Sequence, residues 1–152
     1  MSDPQRLLSL VGKGQATIGE VLAARVAATP DAPFIEQRDR RWNYAEAWAE
    51  SRRFAGFLAA QDLVGARVAT FLPKCPEALF TWFGAMISRG AYVAVNHAHR
   101  GAVLRDLVER SGAKLLVTDL ASWEFIGPLL PAAVERVVLT DHAPEAPPRP
   151  GG

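Results

Sequence analysis

The chain has 152 residues, of which 49% are hydrophobic, enough for one domain with a core. Seventeen basic and sixteen acidic residues leave a net charge of +1, which excludes the basic footprint of a nucleic-acid binder. A single cysteine, Cys75, excludes an intrachain disulfide framework and a thiolate metal cluster.

Taken in order, residues 1–16 are weakly patterned and are expected to lie loosely on the surface. MSDPQRLLSLVGKG holds no apolar core long enough for a secretion signal, and the longest apolar run, Ala78 to Ile87, falls short of the ~20 residues of a spanning helix. A soluble, cytoplasmic protein is expected. Val11-Gly12-Lys13-Gly14 follows no credible strand and does not qualify as a phosphate loop.

Thr17 and Glu20 have capping-box spacing. The helix they open carries Ile18, Val21, Leu22, Arg25 and Val26 on one side and stops at Thr29-Pro30. Phe34–Glu36 and Arg41–Tyr44 read as hairpin arms around Arg38-Asp39-Arg40. Asn43 caps a second helix, with Glu46 three residues on and Tyr44, Ala47, Trp48, Ser51, Phe54, Ala55 and Leu58 on one face.

Gly65 turns the chain into a strand, Arg67–Leu72, and Pro76 suits the first position of the next helix, where its missing N–H costs nothing. That helix is apolar nearly all round and is expected to be buried. Ala91–Val95 then reads as a strand, Val103, Leu104, Leu107 and Val108 recur at helical spacing, Ser111-Gly112 stops the helix, and Lys114–Thr118 is another strand. A right-handed crossover lays those two strands parallel. A short helix near Ser122–Leu130, broken by Pro128 and Pro131, leads to a last strand, Arg136–Thr140.

Strands at even spacing with one helix per gap predict an α/β fold, a parallel sheet covered by helices on both faces and preceded by a helix and a small β-hairpin. The organisation expected is a loose segment over 1–16, a folded unit over 17–142 and a Pro/Gly-rich linker or tail over 143–152, where the sequence reads APEAPPRPGG.

Little catalytic chemistry is legible. No Gly-x-Gly-x-x-Gly follows a strand and no Gly-x-x-x-x-Gly-Lys-Ser/Thr occurs. A receiver-type phosphoacceptor needs more acidic residues at strand ends than Asp119 and Asp141. His97 and His99 lack the carboxylate or Cys that would complete a zinc set, which favours solvated loop histidines, and His142 reads as a linker residue. Cys75 at a helix start lacks a His partner and reads as an inert small residue. Asn96 and Arg100, in the turn after a strand, are the sharpest candidates. Asn suits a tight turn through its own side chain, and Arg at a strand's carboxyl end suits a phosphate. No catalytic residue and no metal ligand are assigned.

Four pieces in order, PDAPFIE, RRWNYAEAWAESRRFAGFLA, RVATFLPKCPEALFTWFGAM and RGAYVAVNHAHRGAVLRDLVERSGAKLLVTD, resemble the N-terminal part of AMP-forming acyl-CoA synthetases of the acyl-adenylate-forming superfamily. The likeness runs from about Ile18 to Asp141. Ala94-Val95-Asn96 and His99-Arg100-Gly101 lean toward the fatty-acyl and carnitine-type CoA ligases. Two features depart from the pattern. Leu63–Val68 lacks the acidic residue often found before the strand, and Lys74-Cys75 replaces a common Asn-Ser pair.

The resemblance implies an incomplete N-terminal part of that fold and a parent enzyme that uses ATP, Mg2+ and CoA to convert a carboxylic acid into its acyl-CoA, AMP and pyrophosphate. It also implies that Asn96, His97 and Arg100 line the CoA path. The family's Ser/Thr/Gly-rich loop ending in Pro-Lys and its catalytic Lys have no counterpart in these residues, so the chain alone is expected to be inactive, to bind no cofactor by itself, and to self-associate through an open sheet edge. Two rivals are a free-standing flavodoxin-like binding module and a non-catalytic partner subunit.

Overall fold

The computed structural model describes residues 16–140 together with Ser9, Lys13 and Gly14. The 143–152 tail, Asp141, His142 and most of the 1–16 segment lie outside the described residues.

Helix α1 (Ile18–Ala28) opens with the expected capping box: Glu20 N donates to Thr17 Oγ1 at 3.2 Å and Thr17 N donates to Glu20 Oε2 at 2.7 Å. Its apolar stripe reaches the core only at Leu22, and Ile18 is 39% exposed. Strands β1 (Pro33–Gln37) and β2 (Arg40–Asn43) form an antiparallel hairpin. Gln37 faces Arg40, so the loop is Arg38-Asp39, and Arg38 takes the positive φ of 57° that the tight reversal requires. Phe34 stacks on Tyr44 at 4.4 Å and Trp42 meets the edge of Phe80 at 5.7 Å, which fastens the hairpin to the helices.

Helix α2 (Tyr44–Ala60) starts with a second capping box, Glu46 N donating to Asn43 Oδ1 and Asn43 N to Glu46 Oε2, both at 2.8 Å. Helix α3 (Pro76–Ile87) begins at its proline as expected and crosses α2 closely. The approach depends on Gly84, where a Cβ would lie 2.7 Å from Ser51 O.

Strands β3 (Arg67–Phe71), β4 (Ala91–Ala94), β5 (Leu115–Asp119) and β6 (Arg136–Thr140) make one sheet, all parallel, in the order β4-β3-β5-β6. Helix α4 (Gly101–Ser111) joins β4 to β5, and Gly112 ends it in the left-handed conformation at φ 62°. The two strands are parallel but not neighbours, because β3 runs between them. α3 leads from β3 to β4 and α4 carries the chain back across, so the two helices cover opposite faces.

Side chains alternate accordingly. Val68, Leu115 and Val117 pack with Leu58, Leu63 and Ala85 on the α2/α3 side, and Ala69, Phe71 and Leu116 pack with Leu104, Val108 and Ile126 on the other. Of the apolar positions read on α4, only Leu104 and Val108 are buried, while Val103 is 56% exposed. Helix α5 (Leu120–Ile126) begins two residues before the predicted start, because Asp119 Oδ1 accepts from Ser122 N at 2.6 Å and caps it. A 3-10 turn, Gly127–Leu129, then takes up Pro128. No helix among the described residues is long and apolar enough to cross a membrane.

Candidate functional site

In this strand order the connections leave β3 and β5 in opposite directions, so a crevice opens at their carboxyl ends. Phe71 ends β3, and Thr118 on β5 donates its hydroxyl to Phe71 O at 2.8 Å, locking the two ends together. Asp119, 4% exposed, follows at the head of α5.

The turn from Asn96 to Arg100 folds over this edge. Asn96 Oδ1 accepts from Ala98 N at 2.9 Å, the self-bonded turn that its side chain favours. The His97 ring lies against Phe71, with centroids 5.0 Å apart, and its Nε2 sits 2.7 Å from Ser122 Oγ on α5. His97 is therefore half-buried and tied into the fold, where a solvated loop side chain was expected. His99, half-buried as well, gives its carbonyl to Arg100.

Arg100 Nη1 donates to His97 O at 2.6 Å and to His99 O at 2.7 Å, and the guanidinium lies over the rings of Phe125 at 4.3 Å and Phe71 at 5.8 Å. Its Nε and Nη2 make no hydrogen bond within the described residues. Arg100 braces the turn with one nitrogen and keeps donors at the surface, as does the exposed Asn96 amide. The three residues named from sequence are thus brought together, on a surface that offers donors to an anion.

Phe71, Ser122 and Phe125 complete the edge and were not singled out from sequence. For Ser122 a signal was present, since Asp119 precedes it by the spacing of an N-cap and its third helical amide. The His97–Ser122 spacing is that of a base and a nucleophile, but Ser122 is 2% exposed, so its hydroxyl is closed to a substrate and acts as a tie. Cys75 is 7% exposed, and burial pushes its thiol up to about 11, which removes it as a nucleophile near neutral pH. Among the described residues no three His, Cys, Asp or Glu side chains gather as metal ligands. A cavity of about 340 Å³ lies elsewhere, between α2, β2, α3 and β6.

The family model for AMP-binding enzymes matches residues 22–150. The chain belongs to the AMP-binding enzyme family. It is 30% identical over 113 residues to nonribosomal peptide synthetase 8 of Aspergillus fumigatus, a match that covers 72% of this chain and 1% of that protein. Its fold matches a fatty acyl CoA synthetase of Mycobacterium tuberculosis with a TM-score of 0.77 at 24% identity, covering 82% of this chain and 26% of that one. It also matches the N-terminal domain of FACL13 from the same organism with a TM-score of 0.78 at 23% identity, covering 90% and 39%. The α/β architecture is that of the N-terminal part of acyl-adenylate-forming enzymes.

Proposed function

We propose that these residues form the opening portion of an AMP-forming acid–CoA ligase. In the first step of that reaction a carboxylate oxygen bonds to the α-phosphorus of ATP and pyrophosphate leaves, with Mg2+ balancing phosphate charge. In the second the CoA sulfur bonds to the acyl carbon and AMP leaves. The observation that carries the reading is the family match over residues 22–150. It also leaves the flavodoxin-like rival without support.

No residue described here is assigned to the first step. For the second, Asn96, His97 and Arg100 line the path of CoA. The chemistry supports this placement: Arg100 is exposed at a sheet's carboxyl edge and only its Nη1 is bonded to the turn, and a guanidinium gives a diphosphate oxygen charge-assisted hydrogen bonds. His97 holds the turn in place. The 152 residues by themselves do not adenylate an acid, because their sequence supplies no Ser/Thr/Gly-rich phosphate loop ending in Pro-Lys.

A second reading, an adenylation unit of the nonribosomal peptide synthetase type, draws on the 30% identity to the Aspergillus fumigatus protein. It shares the first step and differs in the acid and in the acceptor. Acid-dependent ATP–pyrophosphate exchange by the product of the whole reading frame, followed by thioester analysis with free CoA, separates the two. Exchange with an aliphatic acid and a CoA thioester is the expected result. Exchange with amino acids and no CoA thioester favours the second reading, and no exchange with any acid removes both. In the same enzyme Arg100→Ala raises KM for CoA and leaves KM for ATP in place. An unchanged KM for CoA removes the turn from the CoA path.

A further inference from the structure

Helix α5 is anchored by Ser122 and Ile126, 2% and 0% exposed and one turn apart on its inner side. Ser122 and Phe125, three positions apart, are neighbours on the helix surface. They meet the turn after β4 at two residues with the same spacing. Ser122 Oγ lies 2.7 Å from His97 Nε2, and the Arg100 guanidinium lies 4.3 Å from the centre of the Phe125 ring. One short helix thus grips the turn at two points.

The second grip falls on a group that is already partly held. Arg100 Nη1 donates to two carbonyls of the turn, His97 O at 2.6 Å and His99 O at 2.7 Å. Both bonds meet at one nitrogen, so they fix where the group sits more firmly than how its plane is tilted. A ring against the guanidinium fixes the tilt. It acts on the face of the cation and takes no N–H, whereas a carboxylate in its place would take donors and cancel charge. Phe125 is 47% exposed and belongs to none of the hydrophobic clusters of the core, while its neighbours Trp123 and Ile126 pack into one. Its ring adds little to burial, and the contact it makes is with Arg100.

We propose that Phe125 is a positioning residue for the acceptor half of the reaction. From α5 it sets the plane of Arg100, so that Nε and Nη2 present a paired set of donors to a diphosphate oxygen of CoA. The proposal rests on the reading that Asn96, His97 and Arg100 line the CoA path. An arginine held in one arrangement before its ligand arrives loses less freedom on binding. Phe125 acts only through Arg100, so its loss weakens the capture of CoA and leaves both chemical steps alone.

The test is steady-state kinetics of the product of the whole reading frame, with CoA binding measured beside it by calorimetry. Phe125→Leu keeps an apolar side chain and removes the ring. It raises KM and Kd for CoA roughly two- to fivefold, while kcat and KM for ATP hold. Phe125→Tyr keeps the ring face and restores both constants. The double variant Arg100→Ala/Phe125→Leu has the KM of Arg100→Ala alone, as two residues acting in series require. If Arg100→Ala leaves KM for CoA unchanged, the CoA reading fails and this proposal falls with it. If Arg100→Ala raises that KM and Phe125→Leu does not, the reading stands and the proposal is overturned. Effects that multiply in the double variant, or a Phe125→Tyr enzyme as weak as Phe125→Leu, overturn it too. So does a Phe125→Leu enzyme that fails to fold, because the ring would then be serving the core.

Discussion

His97 Nε2 and Ser122 Oγ lie 2.7 Å apart, joining the turn after β4 to the helix after β5 across the end of β3. Neither element touches the other through the sheet, because β3 separates their strands. The bond and the His97 ring on Phe71 help to hold the turn down, beside the Arg100 guanidinium over Phe71 and Phe125. Ser122→Ala removes the acceptor or donor and should cost about 1 kcal/mol in urea unfolding. It should also raise amide exchange from Asn96 to Arg100 more than in α2; equal protection before and after would show that the turn holds without the tie.

Cys75 gives a sharper chemical readout. Its thiol titrates at about 11 in the folded chain because burial disfavours the thiolate, against an ordinary value of 9.0. A raised folded value means that the unfolded chain loses its proton first. The associated stability is whole below pH 9 and declines as pH rises toward 11. Iodoacetamide should leave the native protein unmodified at pH 8 and label one thiol in urea. Rapid native labelling would show an accessible thiolate.

Acid should act partly through Glu77. Burial raises its carboxyl, but its own helix amide and the Arg40 guanidinium outweigh that, and the net shift is downward from 4.5. A lowered folded value gives stability that is present above pH 4.5 and lost as pH falls below it. Glu77→Gln should therefore flatten the acid limb of the stability curve, and an unchanged limb would exclude Glu77 as a contributor.

Gly84 sets the distance between α2 and α3. With Ser51 O 2.7 Å and Phe54 Cβ 2.9 Å from an added methyl, Gly84→Ala meets backbone that cannot step aside. Destabilisation of about 1–3 kcal/mol is expected, with a lowered thermal midpoint, although alanine is the better helix former. A neutral or stabilising result would mean that the helices part at little cost.

Asn43 is the simplest local test. Asn43→Ala removes one half of the capping box at α2 and should cost about 0.5–2 kcal/mol. Asn43→Asp, which keeps the acceptor, should restore most of it.

Local chemistry made the elements legible in the sequence. Both capping boxes, Pro76 at a helix start, the Gly112 stop and the Arg136–Thr140 strand each depend on a few adjacent residues, and each forms where expected. Strand neighbours were less accessible, because periodicity says that β4 and β5 are parallel without saying that β3 lies between them. Burial on α4 was over-read for a related reason: Val103 and Leu107 have helical spacing, but the sheet beneath reaches only Leu104 and Val108. Asn96 and Arg100 drew attention because they follow a strand, and His97 joined them only through the family resemblance. What His97 does there was not legible, since its partner Ser122 stands 25 positions away.

The strand at the centre of the sheet, β3, is also the first of the four to be synthesised. Val68 pairs with Tyr92, 24 residues downstream, and with Leu115, 47 residues downstream. During translation β3 thus leaves the ribosome with both edges bare and waits longest for β5. Its flanking strands close over it one after the other, so a nascent chain that stalls before Leu115 presents Ala69 and Phe71 to whatever is nearby. The arrangement that opens a crevice in the finished sheet is also the one that leaves its central strand uncovered longest while the chain is made.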